Sequence, residues 1–179
     1  MTTAKTLRFL GVVPNRGGAS GYLKAPGDAV LVERGRPRLL ILACPCGCGE
    51  EFPINLDGRA GPAWRLYRNK RTGISLFPSV WRESGCESHY VIWRDKIYLF
   101  GQYDEDDEMI ETSSLQTDGG ISLADAVQEQ LTDELIPFAE IADRLDAVPW
   151  DVLTECRRLV RAGRAREGRG KQRGSFCRV

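Results

Sequence analysis

The chain has 179 residues, 42% of them apolar, which is enough for one ordinary domain or two small ones with a buried core. No run approaches the ~18 apolar residues of a membrane-spanning helix, and the patch Phe9-Leu10-Gly11-Val12-Val13 is too short for the apolar stretch of a signal peptide, so a soluble, cytoplasmic protein is expected. The formal charge is zero but segregated, with +7 over residues 1–100, −15 over 101–155 and +8 over 156–179, so that each block presents its own field to a partner or neutralises its neighbour.

The first 38 residues are rich in glycine and proline, with Ala29 to Glu33 as a strand entering the following sheet. Within them, Arg16 to Gly21 lacks the spacing and the lysine of a phosphate-binding loop and reads as a turn. Short apolar or alternating runs then follow at 39–43, 52–56, 64–67, 74–77, 90–93 and 96–100, punctuated by Asp57-Gly58, Gly61-Pro62, Thr72-Gly73 and Arg94-Asp95, the last a tight hairpin. This pattern predicts a β-rich domain over residues 1–103. The run Asp104 to Glu108 and the aperiodic stretch up to Gly120 predict an acidic linker over 104–119.

Beyond it the period becomes helical. Ser122 caps a helix with Leu123, Val127 and Leu131 inward, Pro137 opens a second with Phe138, Ile141, Ala142 and Leu145, and a third runs from Pro149-Trp150 to Gly163. The last residues suit a hairpin with a basic tip. This order predicts a winged helix-turn-helix over 120–179, and the fold class is therefore α+β: a small metal-binding antiparallel β domain followed by that winged module. Cys156 and Cys177 are expected in its core.

Cys44, Cys46 and Cys48 lie within five residues, and Cys86 stands three before His89, the only histidine. Such packing suits a metal site in a reducing compartment better than a disulfide framework. Five candidates compete for four positions: Cys46, Cys48, Cys86 and His89 make the simplest set, while Cys44 either replaces one of them or ends a buried strand as a small hydrophobe. Zinc suits three thiolates and an imidazole, with a Rieske-like iron–sulfur centre as the alternative. With His89 counted as a ligand, no serine or cysteine keeps an independent base. A non-catalytic adaptor or accessory protein is expected on that ground. The alternative is a DNA-binding regulator, in which Arg158 and Arg161 on the third helix and Arg166, Arg169, Lys171 and Arg173 on the wing hold phosphates, while Asp151, Thr154 and Glu155 are exposed beside them.

The loop Cys44-Pro45-Cys46-Gly47-Cys48-Gly49-Glu50, Trp64 followed by Leu66, the segment Ser75-Leu76-Phe77-Pro78-Ser79 and the segment Cys86-Glu87-Ser88-His89-Tyr90-Val91-Ile92 occur in that order. Together they resemble an uncharacterised bacterial zinc-binding domain family that carries Cys-x-Cys-Gly-Cys-Gly-Glu and Cys-x-Ser-His-Tyr motifs. The resemblance spans roughly residues 40–100. It implies zinc binding and a genetic neighbourhood of bacterial ubiquitin-like proteins with E1-like and E2-like partners, and hence a protein partner from such a pathway.

Overall fold

The run Leu39 to Ala43 has no polar break because its strand is covered on both faces. In the computed structural model, which describes residues 4–100 and 121–179, this run lies in β3 (Pro37–Ala43) of a four-stranded sheet. The sheet is completed by β1 (Arg8–Val13), β2 (Asp28–Glu33) and β4 (Glu51–Asn55), in the order β1-β2-β3-β4. Leu40 and Leu42 enter one core cluster, whereas Ile41 points to the opposite face with Val13, Ala19, Val30 and Val32.

β1 was not among the expected strands, and it pairs with β2 in parallel rather than antiparallel. The residues between the two strands, 14–27, are a connection long enough to return the chain for parallel pairing. β1 is hard to read because Gly11 coincides with a register shift and most of its side chains are only partly covered.

The second sheet is antiparallel throughout and comprises β5 (Arg65–Asn69), β6 (Gly73–Trp81), β7 (His89–Trp93) and β8 (Lys96–Leu99) in sequence order. Its inward residues Ile74, Leu76, Val80, Tyr90, Ile92, Ile97 and Leu99 share a single core with Leu7, Ala29, Leu40, Leu42 and Ile54 of the first sheet, the interdigitation of two packed sheets. Arg94 and Asp95 turn β7 into β8 with φ of 52° and 60°, the left-handed pair that a two-residue hairpin requires. Asp95 also accepts the Ile74 N–H at 2.8 Å, so closely that a Cβ at Gly73 would meet its carboxylate at 2.0 Å.

β6 continues four residues past its expected end. Leu76 pairs with Ile92 and Val80 with Tyr90, so Phe77, Pro78 and Ser79 together oppose Val91 alone. This bulge re-aims the side chains of the strand's second half.

The chain falls into two compact units, Met1–Asp106 and Asp107–Val179; the expected acidic linker over 104–119 lies outside the described residues. The second unit contains α1 (Leu123–Gln130), β9 (Ile136–Pro137), α2 (Phe138–Arg144), α3 (Pro149–Arg161), β10 (Ala165–Glu167) and β11 (Ser175–Arg178), with its strands in the order β10-β11-β9. Ser122 caps α1 by accepting the Asp125 N–H, and Gly163 ends the turn after α3 at φ 70°. Val127, Leu131, Ile141, Val152, Cys156, Phe176 and Cys177 are fully buried. The architecture is thus mixed α+β, with sheets that are antiparallel apart from the β1–β2 pair, and among the described residues there are three α-helices, none long and apolar enough to cross a membrane.

One buried charge anchors the first sheet. Asp28 is 1% exposed and accepts the N–H groups of Lys24 and Ala25 at 2.9 and 2.8 Å and the Arg8 Nε–H at 2.8 Å. Burial alone would raise its carboxyl, but these donors outweigh burial and hold it below the usual carboxylate range. Its stabilising contribution is therefore complete above the unfolded value of about 3.9 and is lost as pH falls through the lower folded value. Asp28→Ala should cost on the order of 3 kcal/mol near neutrality, and chemical denaturation followed from pH 7 to 2 should show a smaller acid-dependent loss for the variant than for the parent.

Candidate active site and metal centre

Two loops from different sheets meet at the end of the sandwich. Cys44, Cys46 and Cys48 follow β3, in a loop turned by Gly47 and Gly49, both at φ 84°, where a side chain would be strained. Cys86 lies in the connection between β6 and β7. The four sulfurs all stand within 4.8 Å of one another, with Cys44 Sγ 3.3 Å from Cys46 Sγ and 3.6 Å from Cys86 Sγ. In a tetrahedral four-thiolate site with metal–sulfur bonds of about 2.3 Å, the sulfurs lie about 3.8 Å apart. The donor set and its spacing fit a metal ion.

The cluster differs from the simplest set in two residues. Cys44, the surplus candidate, is buried at its centre, and His89 is outside it. A Rieske-like centre draws on histidine ligands, and the chain's only histidine is engaged elsewhere.

The surroundings favour negative charge at Cys86 and oppose it at Cys46 and Cys48. Arg82 donates to Cys86 Sγ at 3.1 Å, pairs with Glu50 at 2.5 Å and lays its guanidinium over the Phe52 ring at 5.2 Å. Burial opposes ionisation of Cys86, but the Ser88 hydroxyl and N–H and the neighbouring thiols of Cys46 and Cys44 bring it down to about 6. Burial and the contact with Cys44 push Cys46 up to about 12. A bound cation would displace the remaining thiol protons, with the Arg82 cation offsetting part of the negative charge of four thiolates.

His89 opens β7 directly opposite Trp81 of β6. Its Nε2 lies 3.0 Å from the Ser79 Oγ, and its ring stacks on Phe100 with centroids 4.2 Å apart. Ser79 is the last residue of the bulge, two before Trp81, and the Trp64 indole N–H holds the strand there by donating to the Ser79 carbonyl at 3.2 Å. Both members of the pair are half-buried. A serine hydroxyl within hydrogen-bond distance of an imidazole has the geometry that a nucleophile and its general base require. The expectation that no nucleophile keeps a base rested on counting His89 as a ligand, and the position of His89 removes that ground.

In the second unit the basic residues divide into two groups. Arg166, Arg169, Lys171 and Arg173 are exposed on and beside the β10–β11 hairpin, and Arg158 and Arg161 are exposed on α3, where Arg158 pairs with Glu155 at 2.8 Å. Of the expected reading face of α3 only Arg158 and Arg161 are exposed, because Asp151, Thr154 and Glu155 are all buried and the Thr154 hydroxyl donates to the Trp150 carbonyl within the helix.

The two assignments separate by substitution. Cys44→Ser and Cys86→Ser should each lower the bound metal by at least about tenfold in affinity, whereas His89→Ala should retain the full metal content by elemental analysis of the purified protein.

A family model described as "Bacterial ubiquitination-like system serine protease (BubE)" matches residues 19–100, somewhat under half of the chain, and this span contains Ser79, His89 and all four clustered cysteines. No curated protein matches the chain, and no solved structure does.

Proposed function

We propose that the chain belongs to this family and is a serine protease of a bacterial ubiquitination-like system, with Ser79 as nucleophile, His89 as general base and a structural zinc on Cys44, Cys46, Cys48 and Cys86. The observation that carries the reading is the 3.0 Å contact between Ser79 Oγ and His89 Nε2 within the matched span. Ser79 Oγ attacks the scissile carbonyl while His89 Nε2 takes its proton. The same nitrogen then gives that proton to the leaving amine, and water activated by His89 releases the acyl group from Ser79.

The metal's part is to hold the backbone. Zinc with four thiolates keeps no open position for substrate or water, and its energy of binding goes largely into folding. Cys86 is three residues before His89 and five after Trp81, so a filled site fixes the connection on which both members of the pair depend.

The second unit supports a winged helix-turn-helix reading through its order of helix, short strand, two helices and hairpin, with β11 between β10 and β9. The burial of Asp151 and Glu155 on α3 favours a protein-binding role over readout of base edges, and the partner proposed is a component of the same ubiquitination-like system.

The test is covalent. An alkyl fluorophosphonate should modify the full chain once, at Ser79, as located by peptide mass spectrometry. Ser79→Ala should abolish the modification and His89→Gln should slow it by at least about a hundredfold. Modification at another serine, or none under conditions that label a control serine protease, overturns the reading.

A further inference from the structure

The backbone beside Ser79 is open on one side, and its parity follows from the ladder. Arg82 donates its N–H to the Ser88 carbonyl at 3.0 Å, and the Phe100 N–H is given to the carbonyl of His89 at 2.9 Å. The Trp81 and His89 pair is therefore the non-hydrogen-bonded kind, in which each residue's main-chain groups face away from the partner strand. The N–H and C=O of Trp81 thus face the side on which β5 lies earlier in the sheet. There, β5 ends its pairing at Arg65 opposite Phe77. Among the described residues no strand pairs with β6 on that side beyond Phe77.

The same end of the sheet carries large apolar rings in solvent. Trp81 is 64% exposed and Phe100 is 56% exposed, although both lie against His89, with ring centroids at 6.1 and 4.2 Å. Exposed aromatic surface rimming a nucleophile and base offers contact area at low conformational cost. An open strand edge binds an extended chain by main-chain hydrogen bonds, and alternate side chains then supply specificity.

We propose that the β6 edge at Trp81 is the substrate cleft of the Ser79 and His89 pair, where an extended polypeptide segment adds to the sheet as a strand and sets an apolar side chain beside its scissile bond against Trp81 and Phe100. This inference rests on the serine protease reading and narrows it to a substrate class: a tail or flexible loop whose backbone is free to pair, rather than a folded surface. The Trp64 indole already satisfies the Ser79 carbonyl, which leaves the Trp81 groups as the pairing site nearest the nucleophile.

The experiment uses the full chain and one warhead, the diphenyl phosphonate, in three forms: acetyl-Phe, acetyl-Ala-Ala-Phe, and acetyl-Ala-Ala-Phe N-methylated at each alanine in turn. Ser79 modification by the tripeptide should be at least about tenfold faster than by acetyl-Phe, and one of the N-methyl forms should lose that gain. Trp81→Ala should lower the ratio of tripeptide to alkyl fluorophosphonate rates by about tenfold, with Trp81→Phe keeping most of it. Tripeptide rates indifferent to N-methylation at both positions, or a Trp81→Ala variant that slows both reagents in proportion, would overturn the inference. If the fluorophosphonate labels Ser79 and the tripeptide has no advantage, this inference alone fails; if the fluorophosphonate does not label Ser79, the protease reading fails and takes the inference with it.

Discussion

Four thiols tie the loop after β3 to the connection between β6 and β7, and the rest of the first unit is arranged around that tie. The two loops belong to different sheets, so the cluster joins the halves of the sandwich. Cys44 is fully buried there, and Arg82 links the thiols to Glu50 and packs on Phe52. A connection of seven residues, 82–88, would otherwise be free to fray, since only the Arg82 and Ser88 backbone contact extends the ladder into it. With Cys86 held, His89 enters β7 in a fixed register opposite Trp81.

The second feature of this end is the bulge in β6. Had the register that pairs Leu76 with Ile92 run on unbroken, Ser79 would stand opposite His89; the two extra residues give that place to Trp81 and leave Ser79 two positions back along β6. From there the Ser79 Oγ still lies 3.0 Å from His89 Nε2, and the Trp64 indole N–H donates to the Ser79 carbonyl. Cysteine cluster and Trp64 contact thus act on the two strands of one hairpin, the first beside His89 and the second at Ser79. Exposed rings of Trp81 and Phe100 border the result, which is the reverse of what stability alone would select.

Strand positions from Ala29 to Leu99 were readable because they are short, β-branched or aromatic, and bounded by turn residues; the Arg94-Asp95 hairpin and the Ser122 cap follow from local chemistry alone. The cysteine cluster was readable as a metal site from spacing. Its membership was not, because Cys44 and His89 are equally plausible donors by sequence, and only the fold places one at the centre of the cluster and the other on Ser79. Counting the histidine as a ligand left no base and directed the expectation to a non-catalytic role. Pro78 directly before Ser79, inside a strand that runs on to Trp81, was the available sign of a bulge, and a bulge is where a re-aimed side chain belongs. The burial of α3 also lay beyond pattern, because Asp151 and Glu155 read as a polar face by period while the structure covers them.

The central claim is that the metal cluster holds the nucleophile and base in place. It is tested most directly by stripping the full chain with a chelator, measuring fluorophosphonate modification of Ser79, and repeating the measurement after adding back zinc. The account predicts that modification is lost with the metal and returns in proportion to one zinc per chain. Unchanged modification of Ser79 in metal-free protein would contradict it.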